Sequence, residues 1–110
     1  MSNHEDHVAS FLSKNEEMVD AVSEFSMLAD LVSYFGEPKL SFPNHSSYKE
    51  TGVWDVWSYV WERILGSDCD LFVKIYKDSG EVEGMAFLSH TDTVEELAAI
   101  SFSIYENNTL

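Results

Sequence analysis

Residues 52–66 read GVWDVWSYVWERILG and hold all three tryptophans of the chain within eight positions, Trp54 to Trp61. Projected at about 100° per residue, Val53, Trp54, Val56, Trp57, Val60, Trp61, Ile64 and Leu65 cover one half of a helix circumference. Asp55, Ser58, Tyr59, Glu62 and Arg63 fill the other half. With Thr51 as the N-cap and Gly66 as the stop, the pattern predicts a helix over 52–65. The tryptophans lie inside its apolar arc, Trp57 near the centre and Trp54 and Trp61 toward one edge. This helix is therefore expected to anchor the core, with Trp54 and Trp61 as rim residues.

Upstream, Asn15 can cap a helix whose first turn carries Glu16 and Glu17, and Gly36 with Pro38 stops it. Met18, Ala21, Val22, Phe25, Leu28, Ala29, Val32 and Phe35 recur at helical spacing, which predicts one helix over 16–35. Val8, Phe11 and Leu12 predict a short helix over 8–14, with residues 1–7 frayed. The long helix has a second apolar stripe, Met27, Leu31 and Tyr34, running beside Asp20, Glu24 and Asp30. A second stripe needs a second partner, either another segment of this chain or another molecule.

Residues 37–51 contain both prolines and a Ser/Asn/His cluster, which predicts a long loop. Its stretch 41–48 is a candidate contact segment. Residues 70–77 and 82–89 alternate as strands around Asp78-Ser-Gly-Glu81, a hairpin whose loop places Gly80 in the left-handed region. Thr93 with Glu96, or Asp92 with Glu95, offers a capping box for a helix over 94–106. Ile100-Ser-Phe-Ser-Ile104 alternates with period two, so a third strand is the alternative there. The chain is thus expected to form one α+β domain over 1–110, in which three helices and a closing helix pack against one antiparallel hairpin.

The 110 residues carry 20 acids against 6 Lys and Arg, a net charge of -14. Residues 1–36 hold seven acids and one base, 37–66 four and three, and 67–110 nine and two. Hydrophobic residues at 45% are too many for a disordered acidic tail, so this charge is expected on a folded surface. Such a field disfavours nucleic acid and anionic membranes and steers basic proteins inward, although solubility alone is the plainer explanation. With Cys69 alone there is no intrachain disulfide, and no signal peptide or spanning run is visible, so a cytoplasmic protein is expected. The N-x-S/T triplets at Asn44 and Asn107 then carry no meaning.

Motifs for chemistry are sparse. Cys69 lies between Asp68 and Asp70, whose charges disfavour a reactive thiolate. No phosphate-binding glycine pattern occurs, and no cofactor is expected. Ser89-His90-Thr91-Asp92 is the best constellation for acid–base work, centred on His90. His4-Glu-Asp-His7 lacks metal-ligand spacing. After removal of Met1, Ser2-Asn3-His4 would present a terminal amine, two amides and an imidazole suited to Cu(II) or Ni(II), a pattern that arises by chance; no metal role is expected.

The sequence favours a non-enzymatic inhibitor that neutralises a basic macromolecular partner, such as an immunity protein against a nuclease toxin or a nucleic-acid mimic blocking a DNA-processing enzyme. Asp20, Glu24 and Asp30 would occupy the partner's Arg and Lys, and Met27, Leu31 and Tyr34 would supply apolar anchors. A chaperone or adaptor that captures its partner through the apolar stripe is the alternative, and a small enzyme using His90 a third.

Overall fold

The computed structural model describes residues 4–109, with side chains from residue 7 onward. The chain opens with helices α1 (His4–Lys14), α2 (Glu16–Ser23) and α3 (Leu28–Phe35), then strand β1 (Leu40–Pro43) and helix α4 (His45–Thr51). Strand β2 (Val56–Trp61), a 3-10 turn (Ile64–Gly66), strands β3 (Cys69–Tyr76) and β4 (Val82–Ser89), and helix α5 (Val94–Thr109) follow. The strands form one antiparallel sheet in the order β1-β2-β3-β4. The result is an α+β domain closed by a C-terminal helix, as expected, but its three N-terminal helices are not the three expected and the hairpin is half of a four-stranded sheet.

The sheet carries helices on both faces, the C-terminal helix over the β1–β2 half only. Leu71, Val73, Ile75 and Trp61 pack with Met18, Val22 and Leu31 under the N-terminal helices, joined by half-buried Phe11, Phe25, Leu28, Val32 and Phe35. On the opposite face Val60 and Phe42 meet Val94 and Ala98 of α5, with Phe72 and Phe102 beside them. Burial of apolar area on two sides of a thin sheet is the main stabilising term here.

This double coverage explains why the tryptophan stretch is a strand and not the expected helix. A strand buried on both faces is apolar at both parities, so the polar alternation that marks a half-exposed strand is missing. In β2, Val56, Ser58 and Val60 are buried and Trp57 and Tyr59 half-buried, a β-branched and aromatic mixture suited to a pleated surface. Its Tyr59↔Val73 and Trp61↔Leu71 registers place Tyr59 and Trp61 with the N-terminal helices. Arg63 and Leu65, both in the left-handed region at φ 45° and 53°, turn the chain out of β2. Trp61 is core, its Nε1–H donating to the Gly36 carbonyl at 2.8 Å, and is no rim residue. Trp57 and Trp54 are half-buried beneath α4 and α5. Trp54 stacks on Tyr48 at 4.1 Å, Trp57 meets Phe102 edge-on at 5.8 Å, and both contact Tyr105. Their indole N–H groups are buried without a hydrogen-bond partner.

Other boundaries differ from expectation. The segment expected as a loop over 37–51 forms β1 and α4. Asn44 caps α4 by accepting the Ser47 N–H at 2.9 Å, and Gly52 closes it at φ 76°. Thr51 therefore ends a helix and does not begin one. The helix expected over 16–35 breaks at residues 24–27, where Met27 is extended and forms an isolated antiparallel bridge with Glu81. Leu28 N–H donates to the Gly80 carbonyl at 2.8 Å and Val82 N–H to that of Ser26 at 2.9 Å. The backbone bonds to the hairpin replace those of a continuous helix.

The first helix begins at His4, so residues 4–7, expected to be frayed, are helical, and the expected helix over 8–14 is one turn longer at its start. The hairpin turns with Gly80 at φ 78°, and α5 continues through 100–104 as helix, not strand. The Ser2-Asn3-His4 pattern and the side chains of His4, Glu5 and Asp6 lie outside the described residues.

Candidate interaction surface

The break at 24–27 rephases the second apolar stripe. Leu31 turns inward and is 0% exposed, part of the core, which corrects its placement on an open surface. Met27 lies against the hairpin tip, its Cε about 3.7 Å from where a Cβ on Gly80 would stand. Tyr34 is exposed but leans on Phe25 and Phe35, at ring distances of 5.6 and 4.8 Å. Asp20, Glu24 and Asp30 stay exposed. The Met27–Glu81 bridge brings the α2–α3 connection alongside exposed Asp78 and Glu81 of the hairpin, an acidic neighbourhood that helical spacing alone does not reveal.

Acidic residues from Glu16 to Glu106 are all exposed except Asp55, Glu62 and Asp70. Among the described residues the only Lys or Arg paired with a carboxylate is Lys74, 3.2 Å from Glu83. Most of the negative charge thus faces solvent without an internal counter-cation.

His90 is also reorganised relative to its sequence neighbours. Its Nδ1 lies 3.0 Å from both oxygens of Asp70, a fully buried carboxylate on β3, and 3.8 Å from Glu62. Its Nε2 lies 3.4 Å from Asp92. A carboxylate only accepts, so the Asp70 contact assigns a proton to Nδ1. The Arg63 backbone N–H also donates to Asp70, at 2.8 Å, a bond that the left-handed turn at Arg63 makes available. Thr91 bonds to Thr93 instead of His90. The imidazole is held between carboxylates and ties the end of β4 to the start of β3.

A groove of about 460 Å³ lies on the α5 side of the sheet. Helix α5 covers the β1–β2 half of that face and leaves β3–β4 open beside it. Gly84, Ala86 and Leu88 of β4 share the face with Phe72 and Lys74 by register. The two small residues lower the floor, and Leu97 forms the helix wall. Leu88 and Leu97 are 47% and 42% exposed, and Ile100, one turn beyond Leu97, is 56% exposed. Asn44, His45 and Ser58 line the groove's polar end. The sequence reading misses this surface because it depends on how far α5 reaches across the sheet. The one local signal is the small pair Gly84 and Ala86 inside a strand.

Cys69 is buried, and burial first, then Asp70 and Asp68, pushes its thiol pKa up. No group of three His, Cys, Asp or Glu suited to a metal occurs among the described residues. No described helix is long and apolar enough to cross a membrane. Comparison of the chain with protein-family models, curated proteins and solved structures gives no significant match.

Proposed function

We propose that this domain is a protein-binding module that neutralises a basic macromolecular partner, as an immunity protein does for a nuclease toxin or a nucleic-acid mimic for a DNA-processing enzyme. The observation that carries the reading is the set of solvent-facing carboxylates with a single internal Lys–Glu pair among the described residues. Carboxylates not engaged internally remain available to the Arg and Lys of a phosphate-binding surface, and their summed field speeds encounter with a cationic protein. Exposed Asp20, Glu24 and Asp30, together with Asp78 and Glu81 at the hairpin tip that the Met27 bridge joins to the α2–α3 connection, are the acids offered to that partner. Met27 and Tyr34 are the apolar contacts that remain exposed within it.

The test passes native host extract over the immobilised domain at low salt and identifies what elutes as salt rises. The reading expects a basic protein, lost from a triple Asp20, Glu24 and Asp30→Asn variant and inhibited in its own activity by the wild type. Retention unchanged in the triple variant, or elution of nonspecific material only, overturns it.

A further inference from the structure

We infer that the hollow at the tip of the β3–β4 hairpin receives an arginine side chain of the basic partner. The inference rests on the reading of a basic partner and names the side chain that this partner inserts. The hollow is lined by Asp55, Tyr76, Asp78, Ser79 and Glu81. Its volume of about 310 Å³ stands at the lower end of the usual range for binding pockets, about 300–1,000 Å³. Asp55 precedes β2, far along the chain from the other four residues, and backbone bonds bring them together. The Lys77 N–H donates to the Asp55 carbonyl and the Tyr76 N–H to that of Glu81, both at 2.9 Å. Within the turn, the Gly80 N–H donates to the Tyr76 carbonyl at 2.8 Å and the Glu81 N–H to Ser79 Oγ at 3.1 Å. The three carboxylates are thus gathered by the fold before any partner arrives.

Two observations select a cation. No Lys or Arg lines the hollow, and the nearest in sequence, Lys77, holds its Nζ over the Trp57 ring, 4.1 Å from the centroid. Separately, Oδ1 of Asp55 is buried without a hydrogen-bond partner. A carboxylate oxygen in that condition carries a desolvation cost that a cationic donor arriving in the hollow offsets.

Arginine suits this hollow better than a metal ion or lysine. Among the described residues no group of three His, Cys, Asp or Glu is suited to a metal, so the acids surround something wider than a bare ion. A guanidinium presents five N–H donors in one plane, enough to meet carboxylates on more than one side. Its face stacks on aromatic rings, and Tyr76, 41% exposed, supplies one at the wall. An ammonium has no such plane.

The test adds acetylated Gly-Arg-Gly amide, or its Lys or citrulline counterpart, to the isotope-labelled full chain at low salt and follows the amide resonances by NMR. The Arg peptide is expected to shift the amides of Asp55 and residues 76–81 and to bind about threefold tighter or more than the Lys peptide. The uncharged citrulline peptide is expected to leave them unmoved. Asp55→Asn and, at an exposed position, Glu81→Gln are each expected to weaken Arg binding about fivefold or more. Asp68→Asn, which removes the same charge at the opposite end of the hairpin, should change it less than about twofold. Tyr76→Leu is expected to abolish the preference for Arg over Lys. Equal binding of the Arg and Lys peptides, or a preference undiminished in Tyr76→Leu, overturns the arginine assignment. Equal weakening by all three acid variants, or no shift with either cationic peptide, overturns the hollow as a site and leaves the reading of a basic partner to the extract experiment. Arg binding in the hollow with no basic protein retained from host extract overturns that reading instead, so the two fail separately.

Discussion

The imidazole of His90 and the carboxylate of Asp70 face each other at 3.0 Å across the β3–β4 end of the sheet, with Asp70 fully buried. Besides His90, Asp70 accepts the Arg63 N–H, so its removal leaves two donors unmatched in a closed site. Asp70→Ala is expected to destabilise the fold by about 3–5 kcal/mol, the range for breaking a buried pair. Asp70→Asn keeps the shape and part of the bonding and should lose less. Urea unfolding of both variants checks the order, and equal losses would show that packing and not charge is at stake.

Leu31 and Tyr34 lie on the same short helix but have opposite fates. Leu31 is enclosed by the N-terminal core, so Leu31→Ala is expected to cost about 2–5 kcal/mol. Tyr34 is exposed and contributes ring edges to Phe25 and Phe35, so Tyr34→Ala should cost no more than about 1.5 kcal/mol. Thermal melts of the pair measure the difference. Similar values would mean that α3 is rotated from the orientation described above.

Cys69 combines burial with two adjacent carboxylates, and its pKa lies above the ordinary thiol value. The folded state therefore holds the thiol proton more tightly than the unfolded chain does. The sign follows from linkage: this contribution is fully present below about pH 8.5, the unfolded thiol value, and is lost as pH rises through the higher folded one. Alkylation by iodoacetamide at neutral pH should be slow and track unfolding, accelerating in urea together with loss of the far-UV signal. Rapid labelling of the native protein would contradict the buried placement.

The unpaired surface charge should make the fold itself sensitive to salt. Screening lengths fall from about 30 Å at 0.01 M to about 3 Å at 1 M, which weakens repulsion among the exposed carboxylates. Raising sodium chloride from about 0.02 to about 0.5 M is expected to add about 1 kcal/mol, a rise in Tm of about 4–8 °C for a domain near this size. A melting point that does not move, or falls, would mean that the carboxylates are neutralised in ways the distances do not reveal.

Local signals were legible where one side of an element met solvent or a turn had specific chemistry. The hairpin announced itself through alternation and Gly80, and α5 through its acidic start. The Trp54–Trp61 stretch misled because its periodicity reflects two buried faces, information that belongs to the surrounding helices. The elbow at 24–27 was hidden for a related reason, since the partner of Met27 lies at Glu81, far along the chain. Of the candidate site, Asp20, Glu24 and Asp30 could be read as surface acids from helical spacing, whereas Asp70 opposite His90 depends on strand register. The groove needs the position of α5 as well.

The elbow at Ser26–Leu28 also bears on self-association. By bonding to Gly80 and Val82 at the outer margin of the hairpin, it occupies backbone groups that an incoming strand would otherwise use, and α1 packs beside β4 further along. Sheet margins left open in this way template edge-to-edge aggregation. The interrupted helix thus closes the start of the last strand to strand addition, at Val82, with its own backbone.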